Sequence, residues 1–223
     1  MNNRKIALFV EGQTEYIFVR EFLLKWYGYE SSLLGYDCYT LYASKLESVN
    51  RAFGSKESEN YYLIIRVNND ARVLSQILKQ SEGLVGRGYS LVVGLRDMYC
   101  QQYRNHAKHH AIDENLNQKF KKAVQEEIDK SPVAANISFH FAIMEVEAWM
   151  LGLRGKSGEA DPETTFFHPC DQLRTERQSE GKNYDKSESD VESVCSDFSK
   201  ATYEWLLTST KCQSFKDFIA AIV

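Results

Sequence analysis

The chain is poor in the residues that staple or punctuate a fold. Three prolines in 223 residues leave long stretches free to form helix and strand. The five cysteines (Cys38, Cys100, Cys170, Cys195 and Cys212) are odd in number and widely spaced. No CxxC pair occurs among them, which argues against a disulfide framework or a thiolate zinc site. Reduced thiols of a cytoplasmic protein are the expectation. No apolar run approaches membrane-spanning length, and the N-terminus enters an apolar strand without the h-region of a signal peptide, so no membrane partner is expected. The sequence contains no G-x-x-x-x-G-K-[ST] and no G-x-S-x-G, which removes P-loop ATP binding and nucleophile-elbow acyl transfer. It also lacks an excess of positive charge. With a net charge of −4, binding to nucleic acid has to rely on a local basic patch or on metal ions.

The stretch KIALFVEGQTE, residues 5–15, is the most informative part of what is present. Residues 6–10 form an unbroken apolar run suited to a buried strand. Glu11 falls where that strand ends, Gly12 permits a tight turn, and Thr14 is placed to cap a helix over residues 15–27. Phe18, Phe22 and Trp26 make that helix's apolar stripe. A carboxylate at the C-terminal end of a buried strand lies at the edge where open α/β sheets place their chemistry. Glu15, one helical turn further on, can face the same pocket. Its other reading is ordinary: an acidic residue favoured at the positive end of a helix.

The pattern continues as alternating strand and helix. Strands are predicted at residues 37–43, 61–67, 90–95 and 136–144, with helices at 71–80, 114–130 and 145–153. Asp70 is the expected cap of the first of these helices, and Ser131–Pro132 ends the second. Residues 44–60 read as a polar loop with a short helix, and 83–88 as a glycine-rich turn. This order predicts an α/β domain over residues 1–154, with a mostly parallel sheet and helices on both faces. From about Gly155 the texture becomes polar. Residues 155–190 read as a long loop or cover, and residues 191–223 as one or two short helices around Trp205 and Phe215. The C-terminal part, 155–223, is therefore expected to be a helical extension packed on the same domain.

Three acidic junctions follow predicted strands: Glu11, Asp97, and the pair Glu145 and Glu147. In a parallel sheet these strand ends gather at one edge. Carboxylates converging there resist ionisation unless a cation neutralises them, and hard oxygen ligands suit Mg²⁺ or Mn²⁺. Glu145 and Glu147 can alternatively serve the start of a helix. Residues two apart on a helix point to different faces, so one of the two, Glu147 by preference, is expected to reach the ion. Glu11 and Asp97 are expected within bridging reach of each other. Arg66 and Arg72 flank another strand end, and Arg96 adjoins Asp97. The segment QQYRNHAKHH (101–110) brings Arg104 and Lys108 beside the same edge, where a basic loop suits a phosphate backbone. His106 and His110 have the spacing of a zinc pair but lack a third ligand. Lys182 and Lys186 lie in the polar segment, where a lysine can offset developing phosphate charge, and neither is assigned a catalytic role.

These motifs resemble the Toprim family, in which one strand ends in Glu–Gly, here Glu11–Gly12, and a later strand ends in Asp-x-Asp. The likeness is greatest to Toprim nucleases of the OLD type and to small Toprim-like proteins of bacterial anti-phage islands. Their EGxTE motif is matched by Glu11–Gly12–Gln13–Thr14–Glu15 and their second acidic motif by LRDMY, with Asp97 as its first aspartate. The similarity runs through VNNDARVLSQI to MEVEAWML, about residues 5–153. It implies a Mg²⁺-dependent nuclease hydrolysing DNA or RNA, with Glu11 and Asp97 holding the principal ion and Glu15 and Glu147 completing it or a second one. It further implies a role in anti-phage defence beside an ABC-type ATPase partner. The second aspartate of Asp-x-Asp is Tyr99 here. That departure keeps open a different class of function, a catalytically silent subunit docked on the ATPase.

Overall fold

The computed structural model describes residues 3–42, 45–107, 111–155 and 158–223. In chain order the elements are β1 (Arg4–Val10), α1 (Gln13–Trp26), β2 (Leu34–Tyr42), β3 (Lys45–Phe53), β4 (Asn60–Arg66), α2 (Val73–Gly86), β5 (Leu91–Asp97), α3 (Gln101–His106), α4 (Glu114–Ile128), β6 (Ile137–Ala142) and α5 (Val146–Arg154). There follow α6 (Pro162–Thr165), α7 (Pro169–Ser179), α8 (Glu188–Ser196), α9 (Lys200–Thr208) and α10 (Gln213–Ile222).

The strands form one sheet in the order β3-β2-β4-β1-β5-β6. Pairings β2–β4, β4–β1, β1–β5 and β5–β6 are parallel, and β3 joins β2 antiparallel at the edge. The fold is therefore mixed α/β with a mostly parallel sheet. Alternation along β1 sorts the two layers. Ile6, Leu8 and Val10 enter a core shared with α1, α5, α8, α9 and α10. Ala7 and Phe9 enter a second core with Ile77 and Leu84 of α2 and Ile128 of α4. Gly94 in β5 is where α2 comes closest: a Cβ there would stand 2.5 Å from Ile77 Cδ1 and 2.6 Å from Phe139 Cδ2.

Four expectations are corrected. Residues 44–60 hold strand β3, not a loop with a helix. Its burial is almost wholly exposed, so no period-2 apolar signal existed, and its Lys45, Glu47 and Arg51 are the charges that keep an edge strand from pairing further. Residues 83–86 are the last turn of α2; a Cβ at Gly83 or Gly86 would meet nothing, so both glycines are tolerated on an open helix surface. The first helix is capped by Gly12 rather than Thr14, which is buried within the first turn. Residues 155–190 are not a long loop. They carry α6, α7 and the start of α8, and bury Cys170, Leu173, Arg177 and Tyr184.

Besides Cys170, Leu173 and Tyr184, which join the core under α1 and α5, polar contacts hold that segment. Arg177 Nη1 donates to Asp197 Oδ2 at 2.9 Å and Nη2 to Ser193 Oγ at 2.7 Å. Arg154 ties α5 to Glu176, Glu180 and Asp197. Such pairings leave no trace in hydrophobic periodicity.

Candidate metal centre

The C-terminal ends of β4, β1, β5 and β6 lie side by side. Register pairs Val10 with both Arg66 and Leu95, and Asp97 with Ala142. Glu11 thus follows β1 at the middle of this edge, and Asp97 closes β5 beside it. Asp97 is on the face of the sheet that carries α1 and α5, since Val93 and Leu95, at the same parity, belong to that core.

Asp97, Glu145 and Glu147 converge: one carboxylate oxygen from each lies within 4.8 Å of the others. Asp97 Oδ1 accepts from the Val146 N–H at 2.9 Å, which pins β5 to the first turn of α5. The expectation that only Glu147 of the acidic pair would reach this point is overturned. Glu145 is the N-cap of α5, with φ −146° and ψ 155°, so helical spacing does not govern it and both carboxylates turn inward. Glu145 Oε2 accepts from the Cys170 N–H at 3.1 Å. Glu147 is fully buried; its Oε1 accepts from Tyr184 Oη at 2.8 Å, and its Oε2 has no hydrogen-bond partner among the described residues.

Glu11 and Glu15 flank this triad. Glu11 Oε2 accepts from the Asp97 N–H at 3.1 Å, so the two acidic junctions are in direct contact, through the aspartate's backbone. Glu15 Oε2 accepts from the Gly12 N–H at 2.8 Å. That bond is the helix-start role open to it from sequence, and a Cβ on Gly12 would crowd it at 3.1 Å.

Burial and mutual repulsion act on all of these acids. Glu11 is pushed up to about 8 by burial and by the charge of Glu15. Asp97 is pushed well above the aspartate range by burial together with Glu15, Glu11 and Glu147. Glu15 is raised by burial and by Glu147. Glu147 is raised by burial, against the opposing pull of Lys186.

Lys186, named from the sequence beside Lys182 without an assigned role, is the cation the structure brings to the triad. Its Nζ donates to Glu145 Oε1 at 3.0 Å and lies 3.0 Å from Glu147 Oε1. Burial opposes its charge, yet Glu147, Asp97 and Glu145 together hold the ammonium group above the ordinary lysine range. It sits at φ +57°, in the turn between α7 and α8. The only sequence signal was a lysine within a polar stretch that also holds Tyr184.

The basic residues are dispersed. Arg66 lies at the end of β4, where Nη1 donates to Gln13 Oε1 at 3.3 Å. Arg96 is buried on the opposite face of β5, its guanidinium 5.3 Å from the Phe141 ring centroid. Arg72 ends a short 3-10 turn before α2. Arg104 is exposed on α3, donates to Gln101 Oε1 at 2.6 Å and lies over Tyr99. Lys108 and His110 fall outside the described residues. Tyr99, which stands where the resemblance expects an aspartate, packs against Phe167 and His168 with ring centroids 5.4 and 5.1 Å away.

Five acids at one sheet edge, all-oxygen donors and a buried carboxylate oxygen without a partner fit a hard divalent cation such as Mg²⁺ or Mn²⁺. Asp97, Glu145 and Glu147 are the residues able to hold one. Comparison with known protein families, with curated proteins and with solved structures finds no match to this chain. Among the described residues no helix is long and apolar enough to cross a membrane.

Proposed function

We propose that the chain is a divalent-metal-dependent phosphodiesterase acting on DNA or RNA, and the observation that carries this reading is the buried triad of Asp97, Glu145 and Glu147 with an unpartnered Glu147 oxygen. Asp97, Glu145 and Glu147 would hold the ion, with Glu11 and Glu15 beside them. A bound Mg²⁺ or Mn²⁺ supplies Lewis-acid activation of a phosphate and of an attacking water.

The chain's own groups do the rest. Lys186 keeps a proton on Nζ at the mouth of the triad and can donate to a phosphate oxygen, lowering the cost of gathering negative charge there. Tyr184 holds Glu147 by its hydroxyl and so fixes the carboxylate's direction. The Val146 and Cys170 N–H groups fix Asp97 and Glu145 in the same way. Tyr99 brings no carboxylate, so Glu145 and Glu147 take the share of charge that the Toprim resemblance assigns to a second aspartate. The EGxTE and LRDMY motifs support this reading, as does their arrival at one sheet edge. An ABC-type ATPase is the partner that the same resemblance suggests.

A second reading has its own observation. Lys186 already compensates Glu145 and Glu147, as expected of a silent subunit whose acidic corner no longer needs an ion. The two are separated by Mn²⁺ titration followed by magnetic resonance, for the native chain and for Glu147→Gln. Cleavage of DNA and of structured RNA is then assayed with and without the ATPase and nucleotide. Binding at one or two sites, lost in the variant, with cleavage that EDTA abolishes, supports the enzyme. No Mn²⁺ binding and no cleavage in any combination supports the silent subunit.

A further inference from the structure

A cavity of about 120 Å³ opens between α1 and strands β2, β3 and β4. Gln13, Tyr16, Tyr39, Arg51 and Arg66 line it, with Glu188 at its rim. The half-buried Arg66 guanidinium has no carboxylate partner among the described residues. It donates to Gln13 Oε1 and lies 5.8 Å from the Tyr16 ring centroid, while its Nε is buried without a hydrogen bond. Tyr16 is 5% exposed, and its hydroxyl is likewise buried without a partner. The Cys38 thiol and the Arg20 guanidinium are close enough to perturb that hydroxyl but neither meets hydrogen-bond geometry. Arg51 pairs with Glu188 at 2.7 Å, both about half exposed, an ion pair of the weak and exchangeable kind.

A half-buried cation with no carboxylate partner among the described residues, next to a buried hydroxyl that has no hydrogen bond, suits an anionic ligand rich in oxygen. Arginine's fork of donors suits phosphate in particular. The space admits a phosphate group and little of what it is attached to. The most exposed lining residues, Arg51 and Glu188, mark the mouth, so the group enters end-on, as a chain terminus does and an internal phosphodiester does not. The cavity also adjoins the metal centre along the chain. Arg66 pairs in register with Val10, the residue before Glu11, and Gln13 lies between Glu11 and Glu15.

We propose that this cavity is a subsite for a phosphate monoester: it holds the terminal phosphate of a nucleic-acid strand whose neighbouring phosphodiester lies at the carboxylates. The substrate assignment rests on the phosphodiesterase reading above; the anion site does not.

Binding in EDTA separates the two. A short single-stranded oligonucleotide labelled at the other end is compared with a phosphate or a hydroxyl at its 5′ terminus, and likewise at its 3′ terminus, by fluorescence anisotropy at fixed salt. Inorganic phosphate is tested in parallel by thermal shift against chloride of equal ionic strength. The native chain is expected to prefer one phosphorylated terminus by about tenfold or more, the range that a charged hydrogen bond supplies. Arg66→Gln should abolish that preference, Arg66→Lys should keep part of it, and Tyr16→Phe should weaken it about threefold, each with native circular dichroism. Equal binding of phosphate and hydroxyl termini, with no thermal shift from inorganic phosphate, overturns the proposal. So does a preference that survives Arg66→Gln. A shift from inorganic phosphate that Arg66→Gln removes, with no terminal preference, retains the anion site and overturns the nucleic-acid terminus as its ligand. Every arm is metal-free, so a failure to cleave with Mg²⁺ leaves these outcomes readable.

Discussion

Raising the pH without a divalent ion should weaken the fold, and the size of the effect follows from the acidic corner. Glu11 ionises near 8 in the folded chain against an ordinary value of 4.5. The native state therefore holds this proton where the unfolded chain has lost it. Its contribution to stability is complete below 4.5 and disappears as pH rises through about 8. Between pH 6.5 and 8.5 Glu11 alone costs about 2 kcal/mol, and the raised values of Asp97, Glu15 and Glu147 act in the same direction. His140 has the opposite sign: burial, with help from Lys121, pulls it down to about 4 from 6.5. Stability attached to His140 is lost as pH falls through that window and is flat above 6.5. The range from 6.5 to 8.5 is therefore free of its influence. Urea unfolding at several pH values in EDTA should show the decline, and Mg²⁺ or Mn²⁺ at a hundredfold excess over its dissociation constant should restore about 2.7 kcal/mol. A flat profile in EDTA, or a decline that no divalent ion reverses, would refute the account of the acidic corner.

Lys186→Met should destabilise the metal-free protein by about 1–2 kcal/mol, less than a fully buried pair would give because the lysine side chain is 36% exposed; saturating Mg²⁺ should recover most of that loss in thermal melts. Glu147→Gln should raise the metal-free melting temperature at pH 8, by relieving repulsion in the triad, while lowering Mn²⁺ affinity at least about tenfold in calorimetry. Gly94→Ala should cost about 1–3 kcal/mol in denaturant unfolding by forcing α2 from the sheet, with ion binding intact; an unchanged midpoint would contradict the packing described.

What was legible in the sequence is what depends on local pattern. Continuous apolar runs marked β1, β4 and β5, and a charged amphipathic stretch marked α4, because burial on two faces or on one stripe dictates residue choice directly. Glu11 and Asp97 stood out because a carboxylate at a strand end has no structural reason to be there. The inward turn of both Glu145 and Glu147 was illegible, since it depends on where the helix begins to within one residue. Lys186 and Tyr184 were harder still. They reach the triad from about 40 residues further along the chain, through polar contacts in a segment whose composition reads as loop. Strand β3 was missed for a related reason: an exposed edge buries nothing, so its residues carry no periodic signal.

The aromatic layer in which Phe18, Phe22 and Trp149 meet Tyr203, Phe215 and Phe218 makes this chain indivisible as a unit of inheritance. A shortened copy ending near Arg154 would keep all five acids but lose Tyr184 and Lys186, and would open a broad ring-lined face to water. Such a fragment would aggregate before it could serve as a minimal version of the protein. Gene fusions and crossovers that preserve the acidic corner must therefore carry the chain from Tyr184 through α10, or something of the same shape, along with it.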